Sequence, residues 1–197
     1  MPVPVELRRH IRETIHRYCS DVSLRDAVLE ALALPGFALH PEARCRAGQL
    51  GFESYLALRG SADEAAWGSA SAAELYMEAG FLFDDVADHE VDARNGFNAP
   101  EVLALAIAMM NCGAASACAA AAYAKADVAR SLQILSQNTV SAAAGQFMDA
   151  RLESKEHVTT DDAITMTSLK AGGCGRLAAS LGAGISRRRS RDGRTLR

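Results

Sequence analysis

The sequence predicts an all-α fold, and three observations support this prediction. Apolar residues recur every three or four positions along most of the 197 residues, which is the period of an amphipathic helix. The breaks between these periodic stretches hold residues that cap or end helices, such as Asp21 and Pro35. No stretch alternates apolar and polar residues as a half-buried strand does. We therefore expect packed layers of helices.

The first half of the chain predicts four helices. Asp21 or Ser23 is the expected N-cap of the second helix, and Ser61 or Ser71 is the expected N-cap of the fourth. The first helix is expected over residues 5–19, the second ends at 35–36, the third covers 49–59, the fourth carries the stretch 72–90, and a turn follows at 94–96.

The second half of the chain predicts three further helices. Asn98 is the expected N-cap of an alanine-rich helix that ends near Lys125. Thr159 or Thr160 is the expected N-cap of the last helix, which the glycine pair 172–173 should interrupt or bend. The periodic stretches are residues 100–124, 128–152 and 161–170, followed by an apolar stretch at 177–184.

The most informative stretch is acidic and directly follows an apolar run at residues 81–83. On a helix, side chains four positions apart lie on one face, so Asp84 and Asp88 should project together with Asp85 beside them. Carboxylate oxygens suit Mg²⁺, which is usually bound by one or two carboxylates together with substrate phosphates. The spacing therefore predicts a magnesium site for a diphosphate. The alternative is a solvated acidic helix end.

Two arginines separated by one residue lie in the expected connection at residues 37–48. The guanidinium groups of Arg44 and Arg46 could hold a diphosphate through charge-assisted hydrogen bonds, which are often bidentate. The alternative is a pair of exposed surface arginines that bind nothing.

The charged residues are distributed unevenly along the chain. The formal net charge is −3, but the last eleven residues contain six arginines and one aspartate, so the preceding residues carry 15 basic and 23 acidic side chains. An acidic body argues against a surface that binds nucleic acid. We expect one helical domain over residues 1–185 and a disordered basic tail over residues 186–197.

The cysteines and the N-terminus predict a cytoplasmic protein. Five cysteines are scattered without a Cys-x-x-Cys pair, which favours free thiols in a reducing compartment. The N-terminus lacks the apolar core of a signal peptide. The uncharged stretch 102–124 is long enough to span a bilayer, but alanine dominates it. We expect a buried helix or a helix-mediated dimer contact there, and no membrane span.

Several of these residues occur in an order that resembles the trans-isoprenyl diphosphate synthases, the polyprenyl synthetase family. The similarity extends over nearly all of residues 5–185 and rests on the ordered set, because each motif alone is unspecific. The set comprises Ala43-Arg44-Cys45-Arg46-Ala47, Glu74, Asp84-Asp85-x-x-Asp88, Arg94, Gly145-Gln146-x-x-Asp149 and Lys170.

The resemblance implies an isoprenoid-synthase-type helical bundle with a Mg²⁺-dependent activity. That activity condenses an allylic diphosphate with isopentenyl diphosphate to a longer polyprenyl diphosphate. The implied metal and catalytic carboxylates are Asp84, Asp85 and Asp88. The residues implied to bind the diphosphates are Arg44, Arg46, Arg94, Gln146 and Lys170, of which Lys170 also acts in catalysis by touching the allylic diphosphate. A homodimer or heteromer through the alanine-rich helices is the expected assembly.

Small residues one helical turn before the aspartates bear on the product. In the family, bulky residues there stop the growing chain early. Ala79 and Gly80 therefore imply a longer product than the shortest class.

The sequence departs from the family pattern near the diphosphate sites and at its end. The positions where the family has a lysine, a proline, an arginine and a threonine hold Ala43, Ala47, Ala93 and Ala171. After residues 181–183, where the second aspartate-rich motif of the family should follow, the arginine tail begins. We therefore expect a C-terminally incomplete bundle in which part of the Mg²⁺ set lacks ligands, so that catalysis by this form is compromised.

Three other functions remain open. A non-catalytic partner subunit would keep the fold and offer a helix surface to another synthase. A class I terpene cyclase shares the first aspartate motif, although Asn138, Ala142 and Gln146 occupy the spacing of its Asn-x-x-x-Ser-x-x-x-Glu motif. A generic metal-binding helical bundle is the third, although the paired Glu-x-x-His motifs of a di-iron site are absent from the sequence.

Overall fold

The computed structural model describes residues 2–44, 46–91 and 96–187 of the chain. Within these residues the regular elements are seven helices, and an isolated antiparallel bridge pairs Pro2 with Arg44. The all-α prediction is confirmed for this part of the chain. The helices are α1 (Val5–Tyr18), α2 (Val22–Leu32), α3 (Ala47–Arg59), α4 (Glu64–Ala87), α5 (Ala99–Ala124), α6 (Val128–Leu152) and α7 (Thr160–Ser186).

The helix starts follow the predicted capping residues with one exception. Asp21, Asn98 and Thr159 each accept a hydrogen bond from a backbone amide in the first turn of their helix. The exception is α4, whose N-cap is Asp63 rather than either predicted serine. The Asp63 carboxylate accepts hydrogen bonds from two amides and also interacts favourably with the positive end of the helix dipole, which a serine hydroxyl does not do as strongly.

Helix α7 runs without a break through the glycine pair 172–173, which the sequence predicted would interrupt or bend it. A Cβ placed on Gly173 would lie 3.5 Å from the Cβ of Ala142 on α6. The helices pack closely here because the side chains between them are small. The glycine therefore serves the contact between α6 and α7 and does not mark a turn.

Helix α4 lies at the centre of the bundle and packs against α1, α3, α5 and α7. Leu75, Ala79 and Leu82 join a core cluster shared with α1, α2 and α5. Ala66 and Ala73 join a second core cluster shared with α3, α5, α6 and α7. The acidic end of α4 is therefore carried by a helix that is held on several sides.

Helix α5 is long and apolar enough to cross a membrane, with a mean hydropathy of 1.8, and it is the one such helix among the described residues. Buried core helices of soluble proteins share this length and hydropathy, so these two properties are weak evidence for a membrane span. One face of α5 packs against α4, where a Cβ placed on Gly68 would lie 2.9 Å from the Cβ of Ala120. That face is a buried helix-packing surface, as the alanine content predicts.

The described cysteines are free, which agrees with the predicted thiols. Cys19 and Cys112 are buried, and Cys118 and Cys174 are partly buried. Burial raises the pKa of Cys112 to about 11, so this thiol stays protonated near neutral pH. Cys45 lies outside the described residues, as do residues 94–95 of the predicted turn and residues 188–197 of the predicted tail.

Gly182 marks a close approach between α7 and α3. A Cβ at this position would overlap the backbone of Gly51, which cannot move aside as a flexible side chain can. We expect Gly182→Ala to lower the free energy of unfolding by about 1–3 kcal/mol, the usual cost of overpacking a core. Denaturant titration measures this change.

Gly175→Ala, in the same helix, is the matched control. A Cβ placed on Gly175 meets nothing within 4 Å, so the exchange should be neutral or should stabilise the protein by up to about 1 kcal/mol. Equal destabilisation by the two alanines would contradict the close contact at Gly182.

Candidate active site

Three helices bring charged side chains together near the C-terminal end of α4. Nζ of Lys170 on α7 lies 2.5 Å from Oδ1 of Asp84 on α4 and 2.7 Å from Oδ2 of Asp149 on α6. These three side chains, here called the Lys170 cluster, are between 26% and 31% exposed. The cluster joins residues that are far apart in the sequence, and it remains open to solvent.

The Gly145-Gln146-x-x-Asp149 segment positions Lys170. A Cβ placed on Gly145 would overlap the backbone of Lys170, so glycine lets α7 approach α6 at this point. Asp149 follows one helical turn after Gly145 on the same face of α6, where its carboxylate accepts a hydrogen bond from Lys170. Sequence reasoning assigned no role to Asp149, and the four-residue spacing of the motif is the signal that could have done so.

Lys170 carries a stable positive charge in this setting. Its partial burial alone would lower the pKa of Lys170, but the hydrogen bonds and charges of Asp149 and Asp84 outweigh burial and raise it. The Lys170 cluster therefore contains one ammonium between two carboxylates. Such a set can present both a cation to phosphate oxygens and carboxylates to a metal ion.

The three predicted metal carboxylates differ in their surroundings. Asp85 is 8% exposed, whereas Asp88 is exposed and is the C-cap of α4. Successive helical residues are about 100° apart, so Asp85 does not share the face on which Asp84 meets Lys170. Among the described residues, no group of three His, Cys, Asp or Glu side chains is arranged to hold a metal ion.

The donor chemistry nevertheless fits Mg²⁺. The amide of Asp88 donates to the carbonyl of Asp84 at 2.8 Å, so the two residues are stacked one helical turn apart, and both side chains reach solvent. Oxygen ligands of this kind suit a hard divalent cation. In this structure the cation beside Asp84 is the ammonium of Lys170, and the assignment of the metal ligands stays a prediction.

Arg46 approaches α4 from the N-terminus of α3. Its Nη2 lies 3.7 Å from Oε2 of Glu78 and donates to the carbonyl of Gly36 at 2.9 Å. Its guanidinium carbon lies 4.4 Å from the centroid of the Phe81 ring, a cation–π contact. Glu78 and Asp84 are six residues apart on the helix, or about 9 Å along its axis. Arg46 and the Lys170 cluster therefore flank the same stretch of α4.

The other predicted binding residues are placed as follows. Arg44 is exposed, and its backbone forms the bridge with Pro2. Gln146 is partly buried on α6 beside Gly145. Arg94 lies outside the described residues. The structure therefore brings together Asp84 and Lys170 and places Arg46 nearby, whereas the roles of Arg44, Arg94 and Gln146 stay predictions.

The family model described as Polyprenyl synthetase matches residues 44–196, more than three quarters of the 197-residue chain. The chain belongs to the polyprenyl synthetase family. The match begins at Arg44 and contains Arg46, the acidic end of α4 and all three members of the Lys170 cluster. The resemblance stated from the sequence is thereby confirmed. Among curated proteins, none matches this chain.

A solved structure of a polyprenyl synthetase has a similar fold. The crystal structure of polyprenyl synthetase from Streptomyces coelicolor A3(2) matches with a TM-score of 0.71 at 18% sequence identity. The match supports the predicted isoprenoid-synthase-type bundle. It covers 89% of this chain and 53% of that chain, so the present chain spans about half the length of that relative.

Proposed function

We propose that this protein is a Mg²⁺-dependent prenyltransferase that condenses an allylic diphosphate with isopentenyl diphosphate. The Lys170 cluster carries the proposal, because it joins the aspartate motif of α4, the Gly-Gln-x-x-Asp motif of α6 and the lysine of α7. Carboxylates and fixed cations on one surface are what a metal-bridged diphosphate requires. Membership of the family supports the same type of reaction.

The charges of the site suit the first step of this reaction. Cleavage of the bond between the allylic carbon and the diphosphate builds negative charge on the leaving group. Lys170 would stabilise that charge, since a fixed cation lowers the barrier when it lies where charge develops. Mg²⁺ held by Asp84 and Asp88, with the predicted third ligand Asp85 on the neighbouring face of α4, would supply Lewis-acid stabilisation of the same oxygens.

The second step joins the two substrates. The alkene of isopentenyl diphosphate attacks the allylic carbon, a carbon–carbon bond forms, and loss of a proton to the released diphosphate restores a double bond. We assign Arg44, Arg46 and Arg94 to isopentenyl diphosphate, and Lys170 with Gln146 to the allylic diphosphate. Cleavage of the bond to the diphosphate leaves positive charge on the allylic carbon. The partly buried Met77 and Phe81 on α4 would exclude water from this carbocation.

Incubation of the purified chain with allylic diphosphate, isopentenyl diphosphate and Mg²⁺ tests the proposal. A longer prenyl diphosphate that forms only when all three are present would support it. Binding of diphosphate with Mg²⁺ but without product would reject the activity and leave a binding role. A cyclic hydrocarbon formed from the allylic diphosphate alone would instead favour the terpene cyclase.

A non-catalytic partner subunit is the second candidate, and we expect it to reside in the cytoplasm as the enzyme would. Exposed apolar side chains on α5 and α6 favour it: Ile107, Val140 and Phe147 are 55%, 69% and 64% exposed. Such residues can form a contact with a second copy or with another synthase. Co-purification with a catalytically active polyprenyl synthetase, without activity of this chain alone, would distinguish the partner from the enzyme.

Product length should depend on Gly80. This residue lies one helical turn before Asp84 on the same face of α4, and a Cβ placed there meets nothing within 4 Å. Ala79, by contrast, is fully buried in the core, where a phenylalanine would overpack. If the chain is active, we expect Gly80→Phe to shorten the product, as chromatography of the dephosphorylated alcohols would show.

Gly80→Ala is the matched control and should leave the product length unchanged, because one methyl group fills little of the open space. The same product length from the phenylalanine and alanine variants would contradict a role of this face in chain termination.

A further inference from the structure

Helix α4 carries a buried glutamate that the proposed reaction does not use. Glu74 is 0% exposed, and its Oε2 accepts a hydrogen bond from the amide of Gly48 at 2.6 Å. Gly48 lies in the first turn of α3. The N-terminus of a helix attracts anions through its free amides and its dipole. In this protein a carboxylate of the chain itself occupies that position on α3.

The first turn of α3 is shaped for this contact. A Cβ placed on Gly48 would lie 2.8 Å from Cδ2 of Leu7, 3.0 Å from the carbonyl oxygen of Ala70 and 3.1 Å from Oε2 of Glu74. A larger residue would therefore push the turn away from α4. Burial raises the pKa of Glu74, although the amides of residues 46–48 and the charge of Arg46 act in the opposite direction.

A second buried acid lies one helical turn further along α4. Glu78 is also 0% exposed, and it is the residue whose Oε2 lies 3.7 Å from the guanidinium of Arg46. Arg46 is the N-cap of α3 and directly precedes the turn that Glu74 contacts. The backbone at the start of α3 and the side chain of Arg46 are thus tied to α4 by two different carboxylates.

We propose that Glu74 is a positioning residue for diphosphate binding by Arg46. Its carboxylate fixes the first turn of α3 and occupies the anion-binding end of this helix. The guanidinium of Arg46, and not the backbone amides of α3, is then the group that this segment offers to a diphosphate. The proposal rests on the proposed function for the identity of the substrate. Glu74 affects the binding step rather than bond cleavage.

Calorimetric titration of the whole chain with inorganic pyrophosphate and Mg²⁺ tests this role. We expect Glu74→Ala to weaken pyrophosphate binding by about 10- to 100-fold, the range commonly lost when a partner that orients a binding group is removed. Glu74→Gln keeps the shape and one acceptor oxygen, so it should recover most of the affinity. Glu53→Gln, on the exposed face of α3, is the control and should bind as the wild type does.

A second variant covers the case in which Glu74→Ala does not fold. Gly48→Ala displaces the same turn while it leaves the carboxylate in place, and it should weaken binding as well. Thermal melting separates the two roles, since a purely structural residue would lower the melting temperature without changing the affinity of the folded protein.

The outcomes separate this inference from the proposed function. Unchanged affinity in folded Glu74→Ala and Gly48→Ala would overturn the positioning role, whatever the activity of the wild type. A wild type whose binding of pyrophosphate depends on Glu74 but which makes no product would reject the prenyl transfer alone. A wild type that binds no pyrophosphate would overturn both.

Discussion

Replacing Lys170 with methionine is expected to lower kcat for prenyl transfer by about 100- to 1000-fold, the range found when one electrostatic stabiliser of a transition state is removed. The substitution keeps an unbranched side chain that is one atom shorter, and it removes the ammonium. It also leaves two carboxylate oxygens, of Asp84 and Asp149, no more than about 5 Å apart without the cation between them. Like charges at such a distance repel each other, so the local geometry should loosen too.

Two controls identify the cause of that loss. Lys170→Arg keeps the charge in a broader group and should retain part of the activity. Lys155→Met removes a lysine whose Nζ lies 3.2 Å from a carboxylate oxygen of Asp162. The Lys155 side chain is 52% exposed, and exposed ion pairs contribute little free energy. Steady-state kinetics measures all three variants. Full activity of Lys170→Met would show that the Lys170 cluster does not act on the diphosphate.

Asp84→Asn is expected to have an effect of similar size, about 100- to 1000-fold in kcat. Asparagine has nearly the same shape but lacks the negative charge that pairs with Lys170 and suits a divalent cation. The Mg²⁺ concentration that gives half of the maximal rate should rise at least tenfold, because changes around a metal site commonly cost 10- to 100-fold in affinity.

Asp161→Asn is the matched control for this change. Asp161 lies in the first turn of α7 and is exposed, so its replacement should alter only the favourable interaction with the helix dipole. Rate measurements over a Mg²⁺ series distinguish the two variants. An unchanged requirement for Mg²⁺ in Asp84→Asn would remove Asp84 from the metal ligands.

The helices could be predicted from the sequence because their signals are local. Asn98 and Thr159 cap their helices through residues three positions away, and such spacings are visible in a single sequence. Where two local signals competed, tertiary contacts decided. The glycines at 172–173 allow a break, but packing against α6 keeps α7 continuous.

The site could be predicted in its members but not in its contacts. The ordered motifs indicated Asp84 and Lys170, yet their 2.5 Å contact depends on how α4 and α7 pack. Glu74 shows the same limit. A glutamate at a helical interval among apolar residues does not reveal whether it binds a substrate, faces water or holds another helix, and only the tertiary structure places it against Gly48.

The glycine contacts of α7 determine more than stability. The backbone of Lys170 packs closely against Gly145, and Gly182 packs closely against Gly51. The two contacts lie twelve residues, or about 18 Å, apart along α7. A slip of α7 by one residue would rotate it by about 100° and lose both close fits at once. The axial register of a long helix, set by one contact at the site and one about 18 Å away from it, therefore keeps the Lys170 ammonium between its two carboxylates.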